Sequence, residues 1–416
     1  MSVWHITGDN KLCGSVKVQG AKNAVLPIMA ASLLCSNESE LLGCPQLSDV
    51  SAAMDILRHL GCTAQLEGDV LNIDARFPKR CDIPRELMHR MRSSVIFLGP
   101  LLARCGEAHV FVPGGCELGP RPIDLHLHAL RCLGAQVEQE GEEIICRTDR
   151  LRGAEISLAL PSVGATENAM IAACAAQGGS VIYNAAREPE IEALEAYLRL
   201  LGAQVSGAGT PVIRIGGLRP TGRAGMRIPP DRIVAATYLC CAAVTGGDVE
   251  LLGTDSRSME EVLRTLGDMG CRLSVGDTSL RLSCRGRLRS PGAVVTRPYP
   301  GFPTDAAPLL MAACTRAEGS TVFIENIFEG RYKHARQLMC LGADIELRGT
   351  LAMVRGVEKL RGAVLESPDL RGGAALVTAA LAAEGTTIVR DDGHIRRGYD
   401  GLEARLRELG GDVWVE

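Results

Sequence analysis

"ALRCLGAQVEQEGEEIIC", residues 129–146, starts as a helix, stops at Leu133-Gly134 and continues as a short strand and a hairpin. Glycine suits such a stop, because a helix C-terminus ends readily on a left-handed residue. The same construction returns in "ILRHLGCTAQLEGDVLNI" (56–73), "YLRLLGAQVSGAGTPVIRI" (197–215) and "LGDMGCRLSVGDTSLRLS" (266–283). It returns again in "LMCLGADIELRGTLAMV" (338–354) and "LRELGGDVWVE" (406–416). The glycines are Gly61, Gly134, Gly202, Gly270, Gly342 and Gly410, spaced 73, 68, 68, 72 and 68 residues apart. Six internal repeats of one unit therefore organise the chain.

A second piece recurs out of phase with the first. It is a helix of small apolar residues, then Gly and a β-rich run: "GATENAMIAACAAQGGSVIYNAA" (164–186), "TDAAPLLMAACTRAEGSTVFIEN" (304–326) and "RGGAALVTAALAAEGTTIVRDD" (371–392). Related segments begin at "AKNAVLP", "RSSVIFLGPLLARCG" and "DRIVAATYLCCAAVTGG". Helices that are apolar all round are buried. The expectation is helices inside and sheets outside, in two domains of three units each.

The 416 residues exceed what one hydrophobic core usually serves. With 46% hydrophobic and 23% charged residues the composition is that of an ordered protein. A net charge of −4 argues against nucleic acid as a partner. The start, "MSVWHITGDNKLCGSVKV", carries no signal-peptide pattern, and the longest apolar run, near "NAVLPIMAASLLC", is too short to span a membrane. Sixteen cysteines without C-x-x-C pairing read as reduced, cytoplasmic thiols.

The small-residue helices open on polar groups: Lys22-Asn23, Arg92, Thr166, Asp231-Arg232, Thr304-Asp305 and Arg371. Helix N-termini carrying Lys and Arg are suited to anions. "PGGCELGPRPIDLHLHAL" (113–130) is different, with prolines and glycines that suit a loop carrying Cys116.

In order along the chain stand "GAKNAVLPIMAASLL", the Cys116 stretch, "PSVGATENAMIAA", "NAAREPEI", "PDRIVAATYL", "FPTDAAPLLMAA" and "RRGYDGLEARLRELG". Taken together they closely resemble the UDP-N-acetylglucosamine 1-carboxyvinyltransferase family, enolpyruvyl transferases of peptidoglycan synthesis. The resemblance implies an α/β fold, a two-domain inverse α/β barrel with three repeats per domain. Residues 1–21 and 230–416 would form one domain and 22–229 the other, with the active site in the cleft between them. It implies transfer of enolpyruvate from phosphoenolpyruvate to the 3-hydroxyl of UDP-N-acetylglucosamine, with no metal and no organic cofactor.

The resemblance also implies roles. Cys116 would be the proton donor, open to covalent attachment, and Asp305 the base at the sugar hydroxyl. Lys22, Arg121 and Arg397 would surround phosphoenolpyruvate. Asn23, Arg92, Arg121, Pro122, Ile123, Asp124, Leu125, Ser162, Val163, Gly164 and Ile327 would hold the sugar nucleotide, and Arg331, Asp369 and Arg371 would complete the site.

His126 and His128 in "HLH" lack the i, i+4 spacing of a helical zinc pair, and "GAGTPVIRIGG" lacks the helix that a dinucleotide-binding turn would open. Two rival functions remain: the shikimate-pathway enolpyruvyl transferase, and a catalytically silent sugar-nucleotide-binding paralogue. The cysteine loop, "PSVGAT" and "AREPEI" argue against the first. Joint retention of Lys22, Cys116, Asp305 and Arg397 argues against the second. Oligomeric state has no signature in the sequence.

Overall fold

The computed structural model describes residues 1–114, 122–218 and 224–416; Cys116 and Arg121 lie outside the described residues. The chain divides into two compact units. One holds Met1–Gln19 and Pro230–Glu416, and the other runs from Gly20 to Pro229. Each unit has its own hydrophobic core.

The repeats are real structures. All six glycines have left-handed backbone, with φ between 92° and 98°. Each ends a partly exposed helix, and a strand follows. Glu260–Asp268 is typical of these helices. It buries Val262, Leu263, Thr265 and Leu266. Its outer face pairs Arg264 with Glu261 and Asp268. That is the 3.6-residue period of an amphipathic helix lying on a surface.

The small-residue helices run through the cores. Arg232–Thr245 buries every residue from Ile233 to Val244, and Ala307–Cys314 buries all eight of its residues. Alanine lets such helices approach closely: Ala307–Cys314 packs on Leu370–Ala380, and both pack on Arg232–Thr245. Each leucine they remove fully from water, such as Leu239, Leu310 or Leu376, contributes about 1.5–3 kcal/mol.

Around each bundle lie small sheets with one repeated order. A strand that follows a core helix pairs in parallel with an edge strand and antiparallel with the second strand of a hairpin. Ala293–Val295, Ser320–Ile324, Leu351–Arg355 and Asp344–Arg348 show it in one unit. Glu155–Ser157, Ser180–Tyr183, Val212–Leu218 and Ala203–Ser206 show it in the other.

The last repeat ends after a single strand, Asp412–Val415. Its missing partner is the first strand of the chain, Ser2–Thr7, which pairs antiparallel with both Asp412–Val415 and Thr386–Asp391. The N-terminus thus completes the C-terminal unit. Likewise Cys13–Lys17 supplies the parallel edge beside Asp248–Leu252, and Ala224–Arg227 the edge beside Glu38–Leu42. The pairing of Ser2–Thr7 and Cys13–Lys17 with strands of the C-terminal half explains why that unit is discontinuous in sequence.

Candidate active site

In the unit that contains Pro230–Glu416, Asp305 sits just before the core helix Ala307–Cys314, in the run Thr304-Asp305-Ala306. Its Oδ1 accepts from Nη2 of Arg331, and its Oδ2 accepts from Nε of Arg371 at 3.4 Å. The two arginine side chains are 1% and 3% exposed, whereas Asp305 is 29% exposed. A partly exposed carboxylate held by two buried cations is a fixed acceptor rather than a surface salt bridge.

Arg371 is set by its own helix. Asp369 caps Leu370–Ala380, its Oδ1 accepting from the backbone N–H groups of Arg371 and Gly372 at 3.0 Å each. This is the N-cap pattern expected of an aspartate before a helix. The guanidinium carbon of Arg371 lies 5.5 Å from the centroid of the Tyr399 ring. The buried guanidinium lies beside the Tyr399 hydroxyl and near the Asp305 and Asp231 carboxylates, which favour its charged form against the cost of burial. Arg397 ends the short turn Ile395–Arg397, which packs against the same helix Leu370–Ala380. Ile327 is a 38% exposed aliphatic side chain.

In the other unit, Lys22 opens the core helix Lys22–Ala31 and its Nζ lies 3.2 Å from Oδ2 of Asp49. Asn23 follows it on the same first turn. Arg92 opens the 3-10 turn Arg92–Phe97, on which that helix packs, and donates to the carbonyl of Pro113 at 3.2 Å. Arg92 is thereby tied to the chain two residues before the undescribed segment that contains Cys116.

Ser162 caps the helix Val163–Cys174, and Ile123 precedes the helix Asp124–Cys132, in which Leu125 follows. These two helices pack together, which brings the 122–125 and 162–164 stretches into one neighbourhood. At their contact a Cβ added to Gly164 would stand 3.0 Å from the His126 ring, which would have to give by a few tenths of an ångström.

The His126-Leu127-His128 spacing offers no zinc pair and by itself suggests no other task for His126. The structure gives it one. The Asn168 amide is oriented by the backbone, its Oδ1 accepting from Gly99 N–H at 2.7 Å and its Nδ2 donating to the Val95 carbonyl at 2.9 Å. Nδ2 also lies 3.1 Å from His126 Nδ1, which must therefore accept, leaving the ring proton on Nε2. Burial, and then the charge of Arg92, push the His126 pKa down to about 4. The ring is a neutral strut beneath the sugar-nucleotide stretches that the resemblance implies. Asp49 and Asn168 were missed for the same reason: their roles depend on partners distant in sequence.

The His126 shift has a sign. Its folded pKa lies below the unfolded value of about 6.5, so the unfolded chain binds the proton more tightly. Stability is lost as pH falls from about 6.5 to about 4, by on the order of 3 kcal/mol for this group. Urea midpoints at pH 7 and pH 4.5 should fall less for His126→Asn than for the parent. An equal fall would contradict a buried neutral ring.

The sequence profile of a family described as EPSP synthase (3-phosphoshikimate 1-carboxyvinyltransferase) matches residues 6–406. A protein named UDP-N-acetylglucosamine 1-carboxyvinyltransferase 2, from Caldanaerobacter subterraneus subsp. tengcongensis, is 45% identical over 99% of both chains. One named UDP-N-acetylglucosamine 1-carboxyvinyltransferase 1, from Carboxydothermus hydrogenoformans, is 43% identical over 99% of this chain and 98% of its own. The chain belongs to the UDP-N-acetylglucosamine 1-carboxyvinyltransferase family. Among solved structures, the enolpyruvyl transferase NikO from Streptomyces tendae superposes with a TM-score of 0.91 at 24% identity, covering all of this chain and 98% of that one. EPSP synthase from Acinetobacter baumannii superposes with a TM-score of 0.77 at 20% identity over the whole of both chains. Those two likenesses establish the enolpyruvyl transferase fold. Among the described residues, no helix of this family member is long and apolar enough to cross a membrane.

Proposed function

We propose that this chain transfers the enolpyruvyl group of phosphoenolpyruvate to the 3-hydroxyl of UDP-N-acetylglucosamine and releases phosphate, the first committed step of peptidoglycan synthesis. The observation that carries the reading is the full-length similarity to relatives of that name, at 43–45% identity.

The chemistry is addition followed by elimination. A proton reaches C3 of phosphoenolpyruvate, the sugar oxygen bonds to C2, and the hydroxyl proton leaves. The resulting ketal then loses a proton from C3 while the C2–O bond to phosphate breaks. This sequence needs an acid, a base and cations for the anionic groups.

Cys116 is the acid in this reading and Asp305 the base. Support for Asp305 comes from its grip by Arg331 and Arg371, which holds the carboxylate in one orientation. Lys22, Arg121 and Arg397 neutralise the phosphate and carboxylate of phosphoenolpyruvate. Asn23, Arg92, residues 121–125, Ser162 to Gly164 and Ile327 hold the sugar nucleotide, and Asp369 sets the helix start that carries Arg371.

Phosphate release tests the acceptor. With phosphoenolpyruvate present, UDP-N-acetylglucosamine should trigger release and shikimate 3-phosphate should not. Release with shikimate 3-phosphate alone would assign the chain to the other branch of the fold.

A further inference from the structure

A chain of hydrogen bonds runs behind Asp305 and ends on a carboxylate that has no assigned role. Glu325 is 2% exposed, at the end of the strand Ser320–Ile324. Its Oε1 accepts from the backbone N–H groups of Ile327 at 2.8 Å and Phe328 at 3.0 Å. Its Oε2 accepts from the hydroxyl of Thr304 at 3.0 Å. The Thr304 oxygen in turn accepts from Nε of Arg331, also at 3.0 Å. Arg331 Nη2 then reaches Asp305 Oδ1.

The direction of each bond is forced. A carboxylate only accepts, so the single Thr304 hydroxyl proton points to Glu325. That leaves a lone pair of Thr304 facing Arg331. An arginine held at Nε by one partner and at Nη2 by another cannot swing, because its donors form a rigid fork. Arg331 is 1% exposed, so its means of action is through Asp305. The ring of Phe328, 5.3 Å from the guanidinium carbon, closes one face. A buried carboxylate such as Glu325 is costly unless its oxygens are satisfied. Here they are satisfied by the loop that carries Ile327 and by the residue next to Asp305.

We infer that Glu325, acting through Thr304 and Arg331, is a positioning residue that fixes the orientation of the Asp305 carboxylate for the transfer reaction. The inference rests on the reading of Asp305 as the base. It assigns Glu325 and Thr304 no contact with substrate. Their loss should therefore appear in kcat and not in the KM for phosphoenolpyruvate, whose proposed cations stand outside this chain of bonds.

The test uses the full-length enzyme with phosphate release as readout. Thr304→Val keeps the shape and removes the hydroxyl, and should lower kcat about 10- to 100-fold with KM for phosphoenolpyruvate within about threefold, on the scale of lost transition-state orientation. Glu325→Gln should do the same. The double variant should be no slower than the slower single one, because both break the same chain. Thr304→Ser restores the hydroxyl and should recover kcat to within about threefold of the parent. Thr304→Val at parental kcat, or Thr304→Ser as slow as Thr304→Val, would overturn the inference. Asp305→Asn, measured alongside, separates the two readings: if it alone keeps parental turnover, the base assignment fails. If it is inactive while Thr304→Val is unaffected, only the positioning role fails.

Discussion

Asp305→Asn should lower turnover by about 10²- to 10⁴-fold, the usual range for removing a positioned general base. The amide preserves size and can still accept from Arg331 or Arg371 through its one oxygen. It cannot take the hydroxyl proton of the acceptor sugar. The fold should survive, because Asp305 is 29% exposed and lies before the core helix rather than inside it. UDP-N-acetylglucosamine should still bind, so calorimetry should show a complex that does not turn over. Turnover within about threefold of the parent, a barrier change of roughly 0.65 kcal/mol, would remove Asp305 from the base role.

Cys116 should be the single site of modification by fosfomycin, an epoxide that mimics phosphoenolpyruvate. Fifteen other cysteines compete for the reagent. Most are buried, and burial pushes the thiols of Cys146, Cys174, Cys241 and Cys314 up to about 12, far from the reactive thiolate. Cys13, Cys105 and Cys340 are exposed. Positioning decides the outcome, since aligned partners gain effective molarities of about 10⁵ M or more. Lys22, Arg121 and Arg397 would hold the phosphonate while the epoxide carbon faces Cys116. The adduct should form faster with UDP-N-acetylglucosamine present, and Cys116→Asp should block it while keeping some activity. Intact-mass and peptide spectra with adducts on Cys13, Cys105 or Cys340 would contradict this assignment.

The repeat was legible because its signals are local. A glycine that ends a helix leaves a mark at one position, and all six marks have the expected left-handed backbone. Helices apolar all round announced their burial in the same way. The swap of Ser2–Thr7 into the last sheet was not legible from the repeats, since strand pairing across the whole chain leaves no local pattern. The site divides along the same line. Asp305, Lys22 and Arg371 stood at helix starts, where charge has a local reason to be. Asn168 and His126 are partners 42 residues apart and Glu325 acts through Thr304, 21 residues away, and each alone reads as an ordinary buried polar residue. The resemblance supplied Cys116 and Arg121, which lie outside the described residues.

Enolpyruvyl transfer by addition and elimination passes through a ketal in which C3 of phosphoenolpyruvate is transiently a methyl group. Turnover in heavy water labels that methyl stage. Phosphoenolpyruvate and UDP-N-acetylglucosamine are mixed with the enzyme in D₂O, and the nucleotide product is analysed by mass and proton spectra. The expected product is an enol ether on the 3-oxygen of the sugar, with one phosphate released per product and deuterium on the vinyl carbon. Phosphate released with the sugar nucleotide unchanged, or a product whose vinyl carbon carries no deuterium, would contradict it.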